Sequence, residues 1–163
     1  MNDLTWQNII PTIQNNNPHD KYELCISTLS LNNRFPESYI KMIENIAGTR
    51  PSSPMFRCRI NEESISIKLE KIDFMLTIDQ QTEYSIVGVK NRLLTMNVKR
   101  IKFIPFAKDT HGNFLCFFWT NSTYPSVIHL DIAPQDGNSI LHVASSFDEF
   151  LENLEDVEDW HLH

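Results

Sequence analysis

The sequence predicts an α+β fold, a mostly antiparallel sheet of about five or six strands with N-terminal helices and a C-terminal helix packed on it. Three observations carry that expectation: period-two alternation of apolar residues between positions 56 and 76, an unbroken apolar run over 114–119, and a capped apolar stripe of helical spacing that begins at Ser146. At 163 residues the chain has the length of one domain with one continuous core. Residues 1–163 therefore read as a single domain, with residues 1–19 as an N-terminal arm. No internal repeat and no linker divides it.

Taken in order, residues 3–10 predict a short helix ended by Pro11, and the polar run Gln14-Asn15-Asn16-Asn17-Pro18 a loop. Asp20 can cap a helix that carries Leu24, Cys25, Thr28 and Leu29 on one face. A clearer helix starts at Pro36, whose fixed φ suits a first turn. Glu37 favours its N-terminus, Tyr39, Ile40 and Ile43 recur at helical spacing, and Gly48 can close it.

Alternation follows. Phe56, Cys58 and Ile60 stand against Arg57 and Arg59, then Ile65, Ile67 and Leu69 against Ser66 and Lys68, which predicts two half-exposed strands joined at Asn61-Glu62-Glu63. Ile72, Phe74 and Leu76 predict a third strand or a bulged continuation. Ile86, Val87, Val89, Leu93 and Leu94 fit a helix, although Gly88 weakens it. The run 114–119 predicts a central strand covered on both faces. Beyond it, Ile128, Leu130 and Ile132 alternate with Val127, His129 and Asp131, and Gln135-Asp136-Gly137-Asn138 turns the chain into residues 140–144, an antiparallel hairpin. Ser146 and Glu149 form a capping box for a closing helix striped by Phe147, Phe150, Leu151, Leu154 and Val157.

Several of these blocks resemble a known family. The segment Phe103-Ile104-Pro105-Phe106-Ala107-Lys108-Asp109-Thr110-His111-Gly112-Asn113-Phe114-Leu115-Cys116-Phe117 is similar to the signature strand-turn-strand of the SUKH superfamily, which includes fungal cell-wall-synthesis regulators and many bacterial toxin-immunity proteins. Phe35-Pro36-Glu37-Ser38-Tyr39 with Ala47-Gly48 resembles its opening helix, Ile72-Asp73-Phe74-Met75-Leu76 a middle strand, and Ser145-Ser146-Phe147-Asp148-Glu149-Phe150-Leu151 its closing helix. The resemblance runs from about Glu23 to Leu154. Two departures stand out: Phe35 precedes the proline where Leu is usual, and no Trp-bearing stretch follows Gly48. The resemblance implies a non-catalytic immunity protein that binds a cognate toxin domain, a nuclease by preference, and covers its active site or substrate groove. An intracellular scaffold or regulatory module of the same fold is the alternative. No cofactor is implied.

Physical chemistry gives the strand-turn-strand a plainer role first. Asp109 can accept hydrogen bonds from its own turn, Gly112 can take a positive φ, and Asn113 can cap the loop.

Composition sets the surroundings. The hydrophobic fraction of 41% and charged fraction of 21% are those of a globular chain. Cys25, Cys58 and Cys116 are odd in number and lie in apolar runs, as reduced core thiols do, and the N-terminal residues show no signal-peptide pattern. No window has the ~18 apolar residues of a membrane span. The expected location is the cytoplasm, with no membrane partner.

Net charge is −7, distributed unevenly. All 14 Lys and Arg lie at or before Lys108, while the chain from Asp109 onward carries ten Asp or Glu and no Lys or Arg. Nucleic acid is a poor partner for such a segment, because phosphate contacts need cations. The closing helix would crowd Glu155, Asp156, Glu158 and Asp159 at its C-terminal end, where the dipole disfavours them. These charges therefore suggest docking of a basic toxin domain, with Asp109, Asp131, Asp136, Glu152, Glu155 and Asp156 as the candidate partner-binding residues. Oligomeric state is left open.

Catalysis is the weaker reading. His129 and Asp131 share a strand face and Asp109 with His111 could lie near them, yet no C-x-x-C, H-E-x-x-H or helical His pair supports a metal. No Gly-x-Ser-x-Gly elbow or Gly-rich phosphate loop occurs.

Overall fold

The computed structural model describes residues 4–10, 23, 35–59, 67–79, 82–96, 103–120, 123–132 and 139–156. They form β1 (Trp6–Asn8), α1 (Glu37–Ile46), β2 (Thr49–Pro51), β3 (Met55–Arg59), β4 (Ile67–Met75), α2 (Ile86–Thr95), β5 (Phe103–Asp109), β6 (Phe114–Phe118), β7 (Ser126–Asp131), β8 (Ser139–Ala144) and α3 (Phe147–Glu152). The class is α+β, as expected. The sheet differs from expectation: six strands, β3 to β8 in sequence order, close into an antiparallel barrel, and β1 and β2 form a separate two-stranded sheet. Among the described residues, β3 and β8 close the barrel at the registered pair Arg59 with His142.

Helix placement also differs. Of the three described helices, α2 lies between β4 and β5 rather than near a terminus. Within residues 3–10 the described part is the strand β1, not a helix. Tertiary pairing overrides the local pattern: Ser52 N–H donates to the Thr5 carbonyl at 2.8 Å, and the N–H groups of Ile9 and Ile10 both donate to Gly48 O at 2.9 Å. A lone helix of two turns could not compete with a ready strand partner. The helix expected after Asp20, with Cys25, lies outside the described residues apart from Glu23. The turns expected at 61–63 and 135–138 also lie outside them.

Helix α1 forms where predicted, from Glu37, and buries Tyr39, Ile43 and Ile46. Gly48 follows its end at φ 73, where a Cβ would crowd Ile10 Cβ and the Thr77 methyl at 3.2 and 3.3 Å. Arg50 ties β2 to β4 through the Asp73 carboxylate at 2.7 Å. β4 is one bulged strand through Ile72 and Phe74, with a register shift between them. Pro105, which cannot donate to a ladder, stands at a second shift between β5 and β6. β6 runs between β5 and β7 and is buried from Phe114 to Phe117, the central strand the apolar run predicts.

One end of the barrel is filled by aromatic rings. Phe106 and Phe117 stack with centroids 4.3 Å apart. Phe147 of α3 meets Tyr39 and Phe106 edge-on, and Phe150 reaches Phe106 and Phe56. Helix α3 thus joins the core through its first two turns. It is shorter than its apolar stripe predicts, ending at Glu152 with Asn153 as cap. The chain then pairs as a strand: Glu155 N–H donates to Met55 O at 2.9 Å, and Met55 N–H donates to Glu155 O at 3.1 Å. Glu155 and Asp156 are therefore not helical neighbours of Glu152, and helix-dipole and like-charge penalties do not apply to them. Val157, Glu158 and Asp159 lie outside the described residues.

The phase of β4 is a further correction. Pairing sets Cys58 beside Lys68 and Phe56 beside Glu70, so the buried face of β4 continues that of Phe56 and Cys58. Glu70 and Ile72 are buried, whereas Ile67 is 47% exposed. Ile67 points out, and Glu70 points in beside a partly exposed Lys68.

Candidate functional site

At the β5–β6 turn the chain reverses through Asp109, whose side chain is fully buried. Its Oδ1 accepts from the N–H of His111 at 2.9 Å and of Asn113 at 2.8 Å. Gly112 allows the turn with φ 86, and Asn113 Oδ1 accepts from Ile132 N–H at 3.0 Å, tying the turn to the end of β7. The turn chemistry expected of Asp109, Gly112 and Asn113 is therefore present.

The other oxygen of Asp109 meets His129 Nε2 at 2.7 Å inside the barrel, and both side chains are fully buried. Burial alone would raise the Asp109 pKa. The hydrogen bond from His129, the Asn113 N–H, the charge His129 can carry and the His111 N–H outweigh it and hold the carboxyl below the ordinary carboxylate range. His129 Nδ1 is buried without a hydrogen-bond partner. With Asp109 accepting, Nε2 is the ring nitrogen that donates.

Glu70 adds a second buried carboxylate. Its oxygens take Lys68 Nζ at 2.9 Å and His111 Nδ1 at 2.8 Å. Glu70, Asp109 and His111 bring ligand atoms within 4.8 Å of one another. All four carboxylate oxygens are nevertheless already engaged, by Lys68, His111, two turn N–H groups and His129. The protein's own groups thus satisfy each of these oxygens. Asp131 does not join His129 as a second ligand. It lies at the rim of an open depression of about 540 Å³ lined also by Lys68, Glu70 and His111, while His129 faces the interior.

Nucleophilic chemistry finds no support at the described cysteines. Burial, with Glu70 adding to it, pushes the Cys58 thiol up to about 12 despite Lys68, and burial pushes Cys116 up as well. Neither is a ready thiolate.

The other candidate residues lie around α3. Glu155 forms a two-pronged ion pair with Arg57, at 2.8 and 3.1 Å. Glu152 and Asp156 are exposed, as is Asp148. Glu149 is used locally: its N–H donates to Ser146 Oγ at 3.0 Å, and its carboxylate accepts from Ser145 N–H at 2.7 Å. The capping box forms, with the return bond one residue earlier than the usual pattern. Asp136 lies outside the described residues. The structure thus gathers Glu152, Glu155 and Asp156 near α3, leaves Asp131 at a separate depression, and turns Asp109 inward, where it can make no surface contact.

Glu70 and Lys68 were invisible as site residues in the sequence. Only the register with Phe56 and Cys58 carries Glu70 inward, with Lys68 on the same face, and the even spacing of Lys68, Glu70 and Ile72 is the one signal that could have shown it.

A protein-family model described as SUKH_6: SMI1-KNR4 cell-wall matches residues 29–151, well over half of the chain. No curated protein and no solved structure matches.

Proposed function

Because the chain belongs to the SUKH family of SMI1-KNR4 type, we propose that it is a non-catalytic immunity protein that binds a toxin domain, a nuclease by preference, and covers its active site or substrate groove. The observation that carries this reading is where the cation-free segment falls. Residues from Asp109 onward hold ten acids and no Lys or Arg. In the fold they supply β6, β7 and β8, consecutive in the barrel, and α3. An asymmetry along the chain becomes one in space: β6 to β8 carry no Lys or Arg and one acid, Asp131 at the end of β7, while α3 and the residues after it present Asp148, Glu152 and Asp156 to solvent. Such an acidic helix face steers a basic partner, and a nucleic-acid-cleaving toxin is basic because its substrate is a polyanion. The partner is met in the cytoplasm. No helix among the described residues is long and apolar enough to cross a membrane.

The words "cell-wall" in the family description favour a second reading, a regulatory scaffold. An immunity protein binds one cognate domain very tightly, whereas a scaffold binds several partners moderately. The test is binding to the inactivated C-terminal domain of the large secreted protein encoded beside this gene, at low and high salt. Tight binding with an association rate that falls as salt rises supports immunity. Absence of binding to any neighbouring product moves the reading to the scaffold.

A further inference from the structure

The outer face of the barrel seam is not explained by folding. Across β8, β3 and β4, Arg59 pairs with His142 on one side and with Ile67 on the other. Ile67 is 47% and Ile140 39% exposed, so two branched apolar side chains flank two exposed basic ones. Isolated exposed apolar residues need no explanation, but a row of them around an arginine marks a contact surface. Core packing did not put Ile67 there: the register that buries Glu70 turns it outward.

Charge sharpens the pattern. Arg57, the next outward residue on β3, is neutralised by Glu155. Among the described residues, Arg59 and His142 have no acidic partner, in a chain with net charge −7. Beside them lies a cleft of about 470 Å³, whose lining includes Arg59, Ile67, His142, Glu149 and Glu155. Among the described residues β3 and β8 meet in register at Arg59 and His142, while the far end of β3 is bridged by Glu155. A cationic centre therefore sits beside an acidic rim formed by α3 and its continuation.

The complement of that surface is a protein with a carboxylate centre inside a basic field. Nucleic acid is disfavoured, because the flanking groups are aliphatic rather than aromatic stacking platforms and the nearby rim is acidic. Metal-dependent nucleic-acid cleavage places Asp or Glu ligands at the centre of a groove built to hold phosphates. Building on the immunity reading, we infer that Arg59, flanked by Ile67, Ile140 and His142, enters the toxin's catalytic centre and pairs with the carboxylates that would hold its metal. A guanidinium matches a carboxylate with two parallel hydrogen bonds, and occupying the ligands excludes the ion as well as the substrate.

The test uses the neighbouring toxin domain with its carboxylates intact, kept inactive by a chelator, and measures dissociation rates for full-length variants. Arg59→Glu and Ile67→Asp should each raise the dissociation rate by at least about thirty-fold. Lys41→Glu, the same charge change at an exposed position on α1, should change it by less than about three-fold. Circular dichroism and thermal midpoints confirm that each variant is folded. If the wild type binds and both seam variants dissociate like it, this inference fails and the immunity reading stands. If the wild type does not bind, both fail. If the free protein sediments as a dimer that Arg59→Glu dissociates, the surface belongs to a second copy and the inference fails.

Discussion

Replacing Asp109 by alanine would strip an acceptor from two turn N–H groups and from His129 at once, all in a buried setting. The expected loss is about 3 kcal/mol or more, read as a lower midpoint in urea unfolding. Its pH dependence has a definite sign. Asp109 has a folded pKa below its unfolded value, so its contribution is fully present above about pH 3.9 and is lost as pH falls through the folded pKa. The stability gap between wild type and Asp109→Asn should therefore shrink below about pH 4. A gap that stays constant from neutrality to pH 2 would mean that folding does not lower the pKa of Asp109. Cys58 and Cys116 make a second residue-scale prediction. In a Cys25→Ser variant, a thiol reagent should react with neither until the protein is unfolded, because both thiols are buried and their ionisation is suppressed.

At the scale of elements, α2 shows why a glycine can sit in a helix without weakening it. Ser85 caps α2 by accepting from the Gly88 N–H at 2.9 Å. A Cβ on Gly88 would lie 2.9 Å from that same oxygen. Gly88→Ala should therefore not yield the ~1 kcal/mol gain usual in a helix interior, and is expected to lower the thermal midpoint by displacing the cap. A higher midpoint would show that Ser85 is dispensable. Helix α3 shows the opposite relation between pattern and outcome. Its apolar stripe continues to Leu154, which is buried, but the backbone of Glu155 finds a partner in Met55 and leaves the helix. Leu154 fills the core from a non-helical segment.

For the whole molecule, the acidic face of α3 makes a kinetic prediction. Reversing Glu152 to lysine should slow association with a basic partner about three-fold or more at low salt and leave the unfolding midpoint within a few degrees. Stopped-flow association at two ionic strengths is the measurement. Unchanged rates would remove electrostatic steering from the account. Glu155 is the wrong residue for that experiment, since its ion pair with Arg57 and its bridge to Met55 would mix stability into the result.

The sequence by itself determined the class and most of the elements. Helix α1 with its glycine stop, the central apolar strand, the strand-turn-strand at Asp109 to Asn113 and the cap at Ser146 each rest on local chemistry that the folded state has no reason to overrule. Charge asymmetry was equally legible, being a property of composition. Tertiary structure alone decided closure of the sheet, the strand at residues 6–8, the end of α3 and the phase of β4. Each depends on which backbone finds a distant partner, and period two gives no absolute inside or outside: a one-residue change of register exchanges the faces. Only register could bury Asp109, Glu70 and His129 together, and only register could leave Ile67 facing solvent.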